Sequence, residues 1–230
     1  MAQASQVEPG DALARIAEGQ VATRADLPSE QAAVLGYLMA TDAPLSAFQP
    51  VWSRSRYGEA SASRLRSVGQ SPRGSGLASR LRLPNLTDTS AESAYMLRIH
   101  SWCAAFVDWC VLQLLLSYSS TTTLSLAKVP RTAAAVGLLH WGEKNGCGVF
   151  QGSKTAPARG DIFVLTLREK HSVSHHTGIV TRAGTGDFES VEGNTTLGDG
   201  GNQGYVVARR RRSQHLLLGL VRLPSREEGT

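Results

Sequence analysis

The spacing of apolar residues changes period once along the chain. Up to about residue 141 the apolar positions recur at helical intervals, and after Pro157 they alternate. The clearest helix is 103–116. Cys103, Phe106, Val107, Cys110, Val111 and Leu114 fall at i, i+3, i+4, i+7, i+8 and i+11, the spacing of one buried face. Ser101 stands where an N-cap is expected. Shorter helices are predicted at 11–22, with Leu13, Ile16 and Val21, and at 29–41, with Ala33, Leu35, Leu38 and Met39. Neither is long enough to be stable without docking on something. Another helix is predicted at 132–141, with Ala135, Leu138 and Leu139, and then Gly146, Gly148 and Gly152 predict a loop. Strands are predicted at 161–167, 177–182, 188–194, 205–212 and 216–223, most of them separated by glycine-rich turns. Helices first and antiparallel strands after is an α+β arrangement.

Charge divides the chain further. Residues 1–50 hold two Arg against six acids, a net of −4, and residues 51–87 hold seven Arg against Glu59 alone, a net of +6. The rest nets +3. The basic stretch is rich in Ser, Arg and Gly and nearly lacks aromatics, so it reads as a solvated linker, with contact to a polyanion as the second reading. The resulting expectation is an N-terminal appendage and basic linker at 1–87, dispensable for chemistry and loosely docked, followed by a compact domain at 88–224. The competing arrangement packs the early helices over the domain as a lid or a second layer of core.

Cysteine usage adds little to the fold. Cys103 and Cys110 stand roughly 10 Å apart along one helix and cannot bridge. No disulfide framework is expected. The first twenty residues lack the basic and apolar regions of a secretory signal. No apolar run is long enough to span a bilayer. Synthesis in the cytoplasm without a signal peptide is therefore expected.

The candidate chemistry joins the two halves. A thiol at a helix start meets unpaired N–H groups and the positive end of the dipole, which favour the thiolate. Such a nucleophile needs a base and a group to orient that base. His176 opens one predicted strand, and Glu192 and Asn194 close the next, two apart and so on the same side of the sheet. A hairpin through the turn near Gly186 brings His176 beside both. That is the arrangement of a Cys-His-polar triad.

At these residues the chain resembles the CHAP domain, the cysteine- and histidine-dependent amidohydrolase/peptidase group related to NlpC-type papain-like hydrolases. The resemblance rests on Trp102-Cys103-Ala104-Ala105-Phe106-Val107, Trp141, Pro157 with Gly160-Asp161-Ile162, His176-Thr177-Gly178-Ile179-Val180, Glu192-Gly193-Asn194 and Gly219-Leu220-Val221-Arg222. It covers about residues 90–224. It implies a papain-like fold, with the catalytic cysteine at a helix start packed on an antiparallel sheet of about five to six strands. It also implies cleavage of amide bonds in peptidoglycan. By the same resemblance Cys103 is the nucleophile, His176 the base and then the acid, Glu192 the orienting group and Asn194 a further polar member. Trp102 and Trp141 are candidate substrate contacts, with core or cleft wall as the plainer role for Trp102. No cofactor is implied.

Other features read more plainly. His171 and His175 near His176 lack further ligands at zinc spacing, so no metal is expected. Arg209-Arg210-Arg211-Arg212 reads as an exposed turn at a strand end, and 197–202 as a glycine-rich turn. Neither nucleic acid nor a membrane is an expected partner. A wall-directed enzyme without a signal implies injection into a periplasm as an antibacterial effector of the type VI kind, with a secretion-machine component and an immunity protein as partners. The alternatives are a phage lysin, an intracellular amidase of small substrates, and a catalytically silent wall-binding module.

Overall fold

The computed structural model describes residues 7–24, a few positions between 33 and 41, and 102–226 apart from 133, 170, 171, 198–203 and 205. The basic stretch, Ser101, His171 and most of the predicted helix at 29–41 lie outside the described residues. Within them the order is α1 (Pro9–Glu18), α2 (Cys103–Ser117), α3 (Gly137–Lys144), then β1 (Gly148–Gln151), β2 (Ile162–Glu169), β3 (Ser172–Ala183), β4 (Asp187–Thr195), β5 (Val206–Ser213) and β6 (Leu217–Arg222). The six strands form one antiparallel sheet in the order β1-β6-β2-β3-β4-β5. The fold is α+β.

All five predicted strands are present. The loop expected around Gly146–Gly152 instead contains β1, which pairs with β6 from Gly148↔Arg222 to Gln151↔Gly219. Glycine-rich sequence hid a short edge strand whose side chains are half-buried or exposed. Strand alternation is legible in the packing. Ile162, Val164, Ile179, Val191 and Val207 join the core beneath the helices, whereas Phe163, Leu165, Val180 and Phe188 form a second cluster with Leu217 and Leu220.

α2 is buried more widely than one face predicts. Ala104 and Ala105 are buried as well as Cys103, Phe106, Val107, Cys110, Val111, Leu114 and Leu115. A helix apolar nearly all round needs cover on several sides. One side is the sheet. Another is α1, whose Leu13, Ala14 and Ala17 have no exposed surface and belong to the same core. Val34 and Tyr37 are equally buried, and Tyr37 stacks on Trp102 at 5.9 Å between ring centroids.

Polar contacts hold α1 in place. Arg159 donates to Asp11 at 3.0 Å, to Glu18 at 2.9 Å and to the Thr181 carbonyl at 2.6 Å. Gly160 has φ +85°, and a Cβ there would stand 2.1 Å from Gly10 Cα, so the two segments meet backbone to backbone. Beyond α1, the Ala22 N–H donates to the Val207 carbonyl and the Val207 N–H to the Thr23 carbonyl, both at 2.8 Å. The segment thus pairs along the outer side of edge strand β5. A loosely docked appendage does not describe these residues: α1 forms a second layer of core, because the apolar circumference of α2 requires one. The boundary near residue 88 stands as a proposal only for the stretch outside the described residues.

Leu13→Ala should therefore lower unfolding free energy by about 2–5 kcal/mol. Arg15→Ala, on the exposed side of the same helix, should change it by less than about 0.5 kcal/mol. Urea unfolding of the two variants checks this. Equal, small effects would return α1 to the status of an appendage.

Candidate active site

Cys103 is the first residue of α2 and is 5% exposed. Trp102 precedes it in the capping position, but no side chain caps the helix. The end of α2 is therefore free to serve the sulfur, which takes backbone hydrogen bonds from Ala104 and from Thr177 on β3. β4 comes close to this end of the helix at Gly193. A Cβ on Gly193 would stand 2.7 Å from Trp102 Cζ3 and 2.6 Å from Phe106 Cβ. The glycine between Glu192 and Asn194 is what lets the strand carry its polar groups up to the thiol.

The β3–β4 pairing brings the expected residues together. His176 is buried on β3 and Glu192 on β4. Their contact is His176 Nε2 to Glu192 Oε2 at 2.9 Å. With Nε2 occupied by the carboxylate, Nδ1 is the ring nitrogen left for the hydrogen bond with Cys103. Glu192 is held in turn. Oε1 accepts from Ser190 Oγ and from Arg212 Nε, both at 2.7 Å, and Oε2 also accepts from Arg212 Nη2. Each carboxylate oxygen thus has two donors.

The electrostatics follow from this order. Burial opposes ionisation of Cys103. The His176 charge and hydrogen bond, with the backbone hydrogen bonds at Thr177 and Ala104, outweigh burial and bring the thiol below its ordinary pKa. Burial likewise disfavours the His176 imidazolium, but Cys103 and then Glu192 raise its pKa to about 9. Burial pushes Glu192 up; hydrogen bonds from Arg212 and His176 more than reverse this and bring it to about 2. The arrangement favours a thiolate–imidazolium pair backed by a carboxylate. The other cysteines lack such partners. Burial drives Cys110 well above the usual thiol range. It drives Cys147 up to about 11, against a small opposing effect of Lys128.

The remaining expected residues are placed differently. Asn194 is buried, but its φ of 56° and the register shift after Glu192 interrupt the alternation that put both on one side. Its Oδ1 has no hydrogen-bond partner among the described residues. An asparagine in the left-handed region beside a reactive cluster is strain of the kind found at functional sites. Trp102 is fully covered, with Tyr37 stacked on it, so its indole is a core residue and not an exposed substrate contact. Trp141 is half-buried on α3 and donates Nε1–H to the Lys128 carbonyl at 2.8 Å. His175 is hydrogen-bonded through Nδ1 to the Leu165 carbonyl at 3.3 Å. Among the described residues no group of three or more His, Cys, Asp and Glu could hold a metal, and no helix is long and apolar enough to cross a membrane.

Arg212 joins this cluster although its sequence context does not single it out. The four arginines do not form an exposed turn; they lie inside β5 and alternate. Arg211 is 76% exposed and Arg212 is 10% exposed. The period-two rule applied to Glu192 and Asn194 carries the signal, since it sends neighbouring arginines to opposite faces.

The family model of the CHAP domain matches residues 95–194, a stretch that holds Cys103, His176, Glu192 and Asn194. Among solved structures, the chain is similar to one titled "The crystal structure of Ly7917", with 17% identity, 54% of each chain covered and a TM-score of 0.36. The chain therefore spans about half the length of that structure. No curated protein matches it. Residues 95–194 thus match the CHAP domain, a match that points to a hydrolase of the amidase or peptidase kind.

Two pH dependences follow. The ion pair forms above the lowered pKa of Cys103 and ends as His176 loses its proton near pH 9. Native Cys103 should react with iodoacetamide at a pH where free thiols are mostly protonated, and turnover should fall on the alkaline side with a midpoint near 9. Reaction no faster than that of a free thiol would remove the activated thiolate. Glu192 is depressed in the fold, so the stability it contributes is complete above its unfolded value of 4.5 and is lost as pH falls through about 2. Melting temperatures should drop across that window, and Glu192→Gln should flatten the drop.

Proposed function

We propose that this chain hydrolyses amide bonds of peptidoglycan with Cys103 as nucleophile. The observation that carries this reading is the thiol at the start of α2 paired with a carboxylate-backed imidazole, inside the stretch that matches the CHAP domain.

The course follows from the charges. The Cys103 thiolate attacks the carbonyl carbon, a C–S bond forms, and the carbonyl electrons move to oxygen. The start of α2 supplies N–H donors and a positive dipole for that oxyanion. Collapse breaks the C–N bond, and the His176 imidazolium gives its proton to the departing amine. His176, now neutral, takes a proton from water, and the hydroxide cleaves the thioester to a carboxylic acid and the thiol. Glu192 holds the imidazole in one tautomer and stabilises its charged form. Asn194 is a further polar member of the site. The bond cut is the one joining sugar to stem peptide, as in an N-acetylmuramoyl-L-alanine amidase, or one within the peptide, as in an endopeptidase.

The proposed setting is the periplasm of a target cell. The protein acts as an injected antibacterial effector, with an immunity protein that covers the cleft and a component of a type VI-like secretion machine as partners. The second setting with the same chemistry is a phage lysin.

Cys103→Ala and His176→Ala should each lower solubilisation of purified peptidoglycan by about 10⁴-fold or more, and the double variant by little more than either alone, because the groups act as a unit. Turnover that survives both changes would sink the triad. Mass analysis of the digest locates the new amine and carboxylate and names the bond. Cleavage of soluble amides with intact peptidoglycan would transfer the enzyme to small substrates. Periplasm-directed expression should be toxic and cytoplasmic expression harmless; equal toxicity would contradict a wall target.

A further inference from the structure

A carboxylate that orients a catalytic histidine usually needs one or two donors, yet Glu192 has four, and two of them come from one guanidinium. Arg212 lies on β5, opposite Phe188 of β4 in the register. Glu192 is four residues along β4 from Phe188, and alternation puts Phe188, Ser190 and Glu192 on one side of the strand with Arg212. The long side chain of Arg212 therefore runs back along the sheet, past Ser190, to reach Glu192. It arrives as a fork, Nε on Oε1 at 2.7 Å and Nη2 on Oε2. Ser190, itself fully buried, adds its hydroxyl to Oε1 at 2.7 Å.

This arrangement costs more than a purely structural tie between strands requires. Removing a carboxylate and a guanidinium from water is expensive, and an apolar pair often stabilises a fold better than a buried ion pair. The other arginines of β5 show what ordinary ties look like. Arg209 reaches Glu18 at 3.4 Å and Arg211 reaches Asp187 at 2.7 Å, and both are more than half exposed.

The resting site also has a charge pattern. The ionised partners of Glu192 are His176 from β3 and Arg212 from β5, and Cys103 of α2 lies beyond His176. Read from α2 outward the charges run minus, plus, minus, plus. Without Arg212 the buried set would carry a net negative charge whenever the thiolate pair is formed. An unpaired buried carboxylate avoids that by taking a proton. A protonated Glu192 no longer stabilises the imidazolium.

We propose that Arg212, with Ser190, is the positioning element of this site: its guanidinium fork keeps Glu192 ionised and turns Oε2 towards His176 Nε2. The proposal rests on the reading of Cys103, His176 and Glu192 as the reacting set, though not on the identity of the substrate. Arg212 touches no reacting atom and acts through Glu192. In the wild type Glu192 titrates near 2, below the range in which the thiolate is used. Loss of the fork moves that titration up into it.

The test is alkylation of Cys103 in the full folded chain by iodoacetamide, followed over about pH 4–9 with the modified cysteine identified by mass. Melting temperature is recorded for each variant. Arg212→Gln should be about tenfold slower than wild type on the acid side and show an added inflection there that wild type lacks. Arg212→Lys keeps the charge but not the fork, so its profile should lie between the two. Ser190→Ala should shift the acid limb in the same direction by less. Arg211→Gln, the exposed neighbour, should superimpose on wild type. Adding Arg212→Gln to Glu192→Gln should slow alkylation no further, because Arg212 acts only through the carboxylate.

An Arg212→Gln profile that matches wild type, with only a lower melting temperature, would overturn the proposal and leave Arg212 a strand tie. If Arg212→Gln does not fold, Arg212→Lys and Ser190→Ala decide: both superimposing on wild type would overturn it equally. The two readings separate cleanly, since alkylation needs no wall. A shifted profile beside intact peptidoglycan removes the substrate and keeps the positioning role. Digested peptidoglycan beside an unshifted profile does the reverse.

Discussion

The burial of an ionisable cluster is the constraint on which the rest of this structure depends. Desolvation is the largest influence on Cys103, on His176 and on Glu192, and in each it opposes the charged form. No one of the three can ionise there alone. The thiolate needs the imidazolium, the imidazolium needs the carboxylate, and the carboxylate needs the guanidinium. The series ends at the guanidinium of Arg212. Cys110 supplies the control within the same molecule, since it is a thiol under similar burial with no such series behind it, and burial pushes it up; half-buried Cys147 is pushed up as well.

Seating that series puts demands on the packing around it. The cysteine must stand at a helix start, and the helix must be central enough to be dry. α2 meets this by being apolar on nearly every side, which leaves surface that the sheet alone does not cover. α1 and Tyr37 cover it, and Tyr37 stacks on the residue directly before Cys103. The N-terminal segment is thus tied to the chemistry through packing, although it contributes no group to it. Arg159 and the Gly10–Gly160 contact fix the same segment from the sheet side.

How much of this was legible in the sequence depended on the range of each signal. The change from helical to alternating period is local, and it located α2 and all five of the longer strands. Cys103 was legible because it opens a helix, and His176 and Glu192 because the hairpin of β3 and β4 sets them side by side. The place of Asn194 is not set by alternation alone, because strict alternation stops at a residue with positive φ and a register shift. The docking of α1 depends on the full circumference of α2, and a single-face pattern does not report that. Arg212 was hidden by its neighbours: a run of four like charges resembles a solvated end, and only strand assignment splits it into an inner and an outer set.

The same alternation makes the site a test of sheet register. Cys103, His176, Glu192 and Arg212 come one each from α2, β3, β4 and β5, which are neighbours in space in that order. A slip of one residue in β5 would send Arg212 outward and bring Arg211 in at a different height, because strand side chains alternate with period two. The charge series would then end on an unpaired carboxylate. A chain with mispaired strands could still bury its apolar residues and be compact, but it could not hold the thiolate. The pairing of the segment at residues 22–24 along the outer side of β5 fixes that strand from its free edge. Register at the edge of the sheet beside the N-terminal segment is thereby joined to the environment of a sulfur three elements away.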